Sequence, residues 1–130
     1  MKDLVIGIGC RRGVSAEQIR VAVSAALAHR SLEDVRMLAS IDSKADETGL
    51  LEFATRHALP LSFFSRDQLA QVDTTPSAKV RELIGIDGVC EACALVASHD
   101  GHLIIPKRVV DGVTVAIASD HALSHVRDTP

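Results

Sequence analysis

The first half of the chain repeats one rhythm: a short apolar run, a turn, then apolar residues at helical spacing. Residues 3–8 are a continuous apolar run of the kind that forms a strand covered on both faces. Ser15 follows as a helix N-cap, with Gln18 placed to complete a capping box. Beyond it Ala16, Ile19, Val23, Ala26 and Leu27 recur at helical spacing, so 15–29 is predicted as an amphipathic helix. "VRMLASI" (35–41) reads as a second strand, "DETGLLEFATRHA" (46–58) as a second helix and "PLSFFS" (60–65) as a third strand. Strand, helix, strand, helix, strand implies right-handed crossovers and a parallel sheet covered by helices.

The second half breaks the rhythm. "RDQLAQV" reads as a short helix, Thr75-Pro76 as the start of a helix over 76–85, and 88–98 as another. Strands are expected at 102–106 and 113–118. Too few residues separate them for a crossover helix, so they should pair as an antiparallel hairpin turning at Asp111-Gly112. The expectation is an α/β fold: a three-layer α/β/α sandwich with a mixed, mostly parallel sheet ending in an antiparallel hairpin. The 130 residues are a single-domain length, with 119–130 as a short helix or frayed tail.

Composition narrows the function. A formal net charge of −3 and three Phe, with no Trp or Tyr, argue against a nucleic-acid or anionic-membrane binder. No stretch reaches the ~18 apolar residues of a membrane span, and the start reads as a strand, not a signal peptide. Three cysteines without a dense framework fit a reduced compartment, so a cytoplasmic protein is expected.

The chemistry concentrates at strand ends. Gly7, Gly9, Arg11, Arg12 and Gly13 fall between the first strand and first helix, where free N–H groups and the helix dipole attract anions. Arg11 or Arg12 could fork onto a carboxylate or phosphate; the plainer alternative is a tight turn with two solvated arginines. A dinucleotide site fits poorly. The spacing is G-x-G-x-x-x-G, and the first acidic residue after the second strand, Asp42, lies too far on for ribose binding.

"SIDSKADE" (40–47) should lie at the same sheet edge, where α/β sheets bind ligands. There Lys44 could pair with a ligand carboxylate and Glu47 act as general base, while Asp46 caps the next helix. Glu91 is the single charge of the apolar segment "GVCEACAL" (88–95), either a buried carboxylate needing a partner or a first-turn residue favoured by the dipole. Cys90 and Cys93 form C-x-x-C without a second pair, and His121 and His125 stand at i, i+4. Neither set makes a metal site expected. Lys107 closes the "IIPKR" strand, where a charge is ordinarily solvated.

Four blocks occur in order: "GIGCRRGVS", "ASIDSKADETGLLEFA", "GVCEACAL" and "IIPKRVVDGVTVAIA". Together the chain resembles the cobalamin-biosynthesis CobE family, itself similar to the C-terminal domain of the larger CbiG proteins. The match runs from about residue 3 to 118. The resemblance implies a role in building the corrin ring. CbiG proteins open the δ-lactone of a cobalt-precorrin and release acetaldehyde, an activity not carried to a chain that matches only their C-terminal part. It further implies a polycarboxylate ligand, a precorrin or hydrogenobyrinic-acid-type intermediate, met by Gly7, Gly9, Arg11, Arg12, Gly13, Lys44 and Lys107. Glu47 and Glu91 would supply any acid–base chemistry, without a tightly held cofactor. The alternatives are hydrolysis of a precorrin lactone or acyl group, and a non-catalytic domain that docks to a pathway enzyme.

Overall fold

The computed structural model describes residues 3–70, 89–98 and 101–120. Strands β1 (Leu4–Cys10), β2 (Val35–Ile41), β3 (Leu61–Phe64), β4 (His102–Val110) and β5 (Val113–Ser119) form one sheet in the order β3-β2-β1-β5-β4. β1 pairs parallel with β2, and β2 with β3, while β5 runs antiparallel to both β1 and β4. The helices are α1 (Ala16–Leu27), α2 (Thr48–Arg56), α3 (Arg66–Ala70) and α4 (Val89–Ala97). α1 and α2 pack together on one face, and α4, with α3 against it, covers the other. This is the expected α/β sandwich with a mixed sheet. The helix expected over 76–85 and the His121/His125 pair lie outside the described residues.

Local signals explain the elements. The Ser15 capping box forms: Gln18 N–H donates to Ser15 Oγ at 3.1 Å, and Ser15 N–H to Gln18 Oε1 at 2.8 Å. Ser65 and Gln68 build the same box before α3. α2 starts two residues later than expected. Asp42–Lys44 make a 3-10 turn first, and Glu47 holds the N-cap position without capping, its carboxylate being drawn elsewhere. At the hairpin, Asp111 and Gly112 have φ of 53° and 82°, the pairing of positive angles that a two-residue type I′ turn demands.

β1 is buried on both faces. Leu4, Ile6, Ile8 and Cys10 meet α1, α2 and the odd-numbered residues Val113, Val115 and Ile117 of β5 in the larger core. Full burial of an Ile or Val contributes about 1.5–3 kcal/mol, so this layer dominates stability. On the other face Gly7 is overlain by α4. A Cβ there would stand 1.9 Å from the carbonyl oxygen of Cys90 and 2.8 Å from the amide of Ala94. Gly7 therefore sits inside the strand as a close-approach residue, not in the loop, and Gly9 likewise lies within β1, its carbonyl accepting from Thr114 Oγ1 at 3.1 Å.

At the opposite sheet edge Arg36 grips Asp120 with two bonds, Nε to Oδ2 at 2.8 Å and Nη2 to Oδ1 at 3.0 Å. Nη2 also donates to the last α4 carbonyl, Ala97 O, at 3.0 Å. Asp120 is buried, and its N–H bonds Asp3 O at 2.9 Å. Ser119 closes β5, one residue beyond the strand expected, and a bidentate ion pair holds Asp120 in the fold; the rest of the expected tail lies outside the described residues.

Gly7→Ala should therefore cost roughly 3 kcal/mol or more, because backbone, which cannot turn aside, occupies the methyl's place. Gly13→Ala, with open space but a φ of +85°, should cost only about 1 kcal/mol. Urea unfolding of the two variants separates these values; equal losses would contradict the packing argument.

Candidate functional site

The carboxyl ends of β1 and β2 and the β4–β5 hairpin tip bring three loops together. The segment after β1 is held from both sides. Toward the hairpin, Arg11 N–H donates to Gly112 O at 3.0 Å, and Gln18 Nε2 to Asp111 Oδ2 at 3.0 Å. Toward the β2–α2 loop, Arg12 Nη1 donates to Asp46 Oδ1 at 3.0 Å and Glu47 Oε2 at 3.1 Å, and Nη2 to Ser43 O at 3.3 Å. Gly13 N–H donates to the second Glu47 oxygen, Oε1, at 3.2 Å.

Glu47 is thus a brace with both oxygens engaged. Its side chain is 5% exposed, against 64% for Arg12 and 76% for Asp46. The Asp46 hydrogen bond and charge hold the Arg12 guanidinium above its ordinary pKa, and Arg12 in turn holds the Asp46 carboxyl below its own. Burial pushes the Cys10 thiol up, with nearby Lys44 opposing. Arg11 and Lys44 make no ion pair with the described residues. An open cavity of about 200 Å³ lies between the loop and the hairpin, lined by Arg11, Arg12, Gly13, Val14, Gln18 and Asp111.

Arg11, Arg12, Gly13, Lys44 and Glu47 accordingly gather at one edge, whereas Glu91 and Lys107 lie on the α4 face. There β4 slips register between Ile105 and Arg108, and the Lys107 N–H turns to Glu91 Oε2 at 2.9 Å. Glu91 is buried with that backbone partner. Cys90 and Cys93 are fully buried beside it, and desolvation lifts their thiols to about 11 and about 12. Such thiols stay protonated at neutral pH, unlike nucleophilic or metal-bound cysteines. Among the described residues no three His, Cys, Asp or Glu side chains gather as metal ligands would.

Asp111 and Gln18 are cavity walls that sequence reading assigned only to a turn and a cap. They are 93 positions apart, a separation on which local spacing is silent.

Fold and site together define a mixed-sheet α/β protein that gathers Arg11, Arg12 and Lys44 at the carboxyl edge of its parallel strands. The chain belongs to the cobalamin synthesis G C-terminus family, whose model matches residues 4–118, and this membership ties it to cobalamin biosynthesis. It is 35% identical over 126 residues to the protein CobE of Sinorhizobium sp, covering 92% of this chain and 82% of that one. It is 34% identical over 120 residues to the cobalt-precorrin-5A hydrolase of Priestia megaterium, covering 90% of this chain but 32% of the hydrolase, so the chain spans about a third of that relative's length. The crystal structure of the cobalamin biosynthesis protein chiG from Agrobacterium tumefaciens str. C58 superposes with a TM-score of 0.73 at 36% identity, over 91% of this chain and 98% of that one. Among the described residues no helix is long and apolar enough to cross a membrane.

Glu47→Ala leaves the Gly13 N–H and Arg12 without their buried acceptor and should cost roughly 1–3 kcal/mol in chemical denaturation, Arg12→Ala distinctly less. For the thiols, a folded-state pKa above the ordinary 9.0 means stability that is full below pH 9 and lost as pH rises toward 11–12. Denaturation from pH 8 to 11 should show this alkaline loss, and the double variant Cys90→Ala with Cys93→Ala should flatten it.

Proposed function

We propose that this protein binds a polycarboxylate tetrapyrrole intermediate of cobalamin biosynthesis at the cavity between the Arg11–Gly13 loop and the hairpin. The observation that carries the reading is the pairing pattern. Arg11 and Lys44 have no ion pair among the described residues, at a sheet edge where the loop is braced on both sides. Cations without internal partners, held on a rigid frame, bind an external carboxylate without first losing a competing bond. The cavity lining sets Arg11 and Arg12 against one carboxylate, Asp111, and with Asp46 and Glu47 on Arg12 it offers a few cation contacts, enough for a small anion and too few for a long polyanion.

Size sets the manner of binding. A cavity of about 200 Å³ is below the ~300–1,000 Å³ that encloses a drug-sized ligand, so it receives a peripheral acetate or propionate arm while the ring lies outside. The absence of Trp and Tyr agrees, since few side chains could stack on an enclosed macrocycle.

The geometry favours handling of the intermediate over its hydrolysis. A general base needs a carboxylate with access to water near the bound group. Glu47 is buried with both oxygens engaged by Gly13 and Arg12, and Glu91 is buried on the far face against Lys107 N–H. Each serves as a structural brace.

Titrating the protein with hydrogenobyrinic acid and following visible absorbance should give saturable binding that weakens as salt rises. Arg11→Ala and Lys44→Ala should each lose roughly 10-fold in affinity, as for removal of one charge-assisted hydrogen bond. Arg30→Ala, the same charge change beyond the other end of α1, should bind like the parent. Absence of binding by folded protein would overturn the reading and favour a docking role.

A further inference from the structure

Arg12 presents a different problem from Arg11, because it lines the cavity yet already holds two carboxylates. Its Nη1 is shared between Asp46 at 3.0 Å and Glu47 at 3.1 Å. These two partners are unequal. Glu47 is buried and pinned by Gly13 N–H at its other oxygen, so losing Arg12 would leave a buried carboxylate oxygen without its partner. Asp46 is three-quarters exposed, and Arg12 is its one ion-pair partner among the described residues. Water solvates a released Asp46 at little cost, and exposed pairs of this kind are weakly held.

We propose that Asp46 is a built-in competitor for the incoming carboxylate: it occupies Arg12 in the free protein and is displaced when an acidic ligand enters, while Glu47 keeps the guanidinium in place. The inference rests on the anion-binding reading above and assigns that site its selectivity. A ligand with one carboxylate either exchanges one anion for another at Arg12 and gains little, or makes a single contact with Arg11 or Lys44. A ligand with several exchanges one at Arg12 while placing others on Arg11 or Lys44, neither of which is ion-paired among the described residues. Once the first arm is bound, the next meets its cation at a high effective concentration. The arrangement thus favours polycarboxylates over monocarboxylates, because only a ligand with several arms can both displace Asp46 from Arg12 and add the unpaired cations to that contact.

The test is a double-mutant cycle on binding of hydrogenobyrinic acid at low salt, with parent, Asp46→Asn, Arg12→Ala and the combined variant. Asp42→Asn serves as the control, since it removes the same charge from the same β2–α2 loop without an ion pair to Arg12. Asp46→Asn should tighten binding roughly 2- to 5-fold, the worth of an exposed ion pair. Asp42→Asn should do less, and in the Arg12→Ala background Asp46→Asn should do nothing. Unchanged or weaker binding by Asp46→Asn, an equal gain from Asp42→Asn, or a gain that persists without Arg12 would overturn the competitor while leaving the anion site standing. No binding by any folded variant would remove the site, and the competitor with it.

Discussion

The approach of α4 to β1 at Gly7 is the contact on which the rest of the architecture turns. A helix normally rides on a sheet at the distance its side chains set. Here the missing Cβ lets the α4 backbone itself meet the strand, with Cys90 O and Ala94 N over the glycine. The neighbouring helical residues that face the sheet are then necessarily small, and the segment obliges with Cys90, Cys93 and Ala94. A helix seated that low brings Glu91 within reach of β4, where the carboxylate takes the Lys107 N–H that the register slip has turned from the ladder. Its far end meets Arg36, which also holds Asp120 after β5. One absent methyl group thus sets the helix height, the helix composition and the lock at the opposite edge.

The two buried glutamates follow one physical rule. Burying a charge is costly unless donors meet it, and each of these glutamates is met by a backbone N–H: Gly13 for Glu47, Lys107 for Glu91. In each case the N–H belongs to backbone outside a regular ladder, a loop in one and a slipped register in the other. The carboxylates fasten irregular backbone to the frame. The two sheet edges are similarly managed: β3 is only four residues long, and β4 carries an exposed Pro106 at its slip, so neither offers a long run of donors for unwanted pairing.

Much of this architecture was legible in the residues. The Ser15–Gln18 box, the crossover rhythm and the Asp111-Gly112 turn are local codes, and each took the shape its chemistry requires. What could not be read locally were partnerships between distant segments. Gly7 looked like a loop glycine because its reason, the α4 backbone, lies more than eighty positions on. Glu47 looked like a candidate base because spacing places it at the right sheet edge but does not reveal that Gly13 and Arg12 have already claimed its oxygens. The four basic residues separate for the same reason: Lys107 lies within the edge strand β4, beside α4, and only Arg11, Arg12 and Lys44 share the loop edge.

That separation bears on what kind of chemistry the edge can support. A hydrolytic site needs a carboxylate kept apart from the cations that bind substrate, since a base ion-paired to an arginine is a weaker base. Here Glu47 is engaged by Gly13 and Arg12, and Asp46 by Arg12, so neither of these two carboxylates is a free proton acceptor. A pathway whose intermediates carry many acidic arms has use for such a surface, because grip distributed over several weak carboxylate contacts can be strong and still release one arm at a time. If the edge grips such arms, the partly occupied Arg12 complements the unpaired Arg11 and Lys44: Asp46 and Glu47 keep the loop ordered, and Asp46 replaces a departing arm.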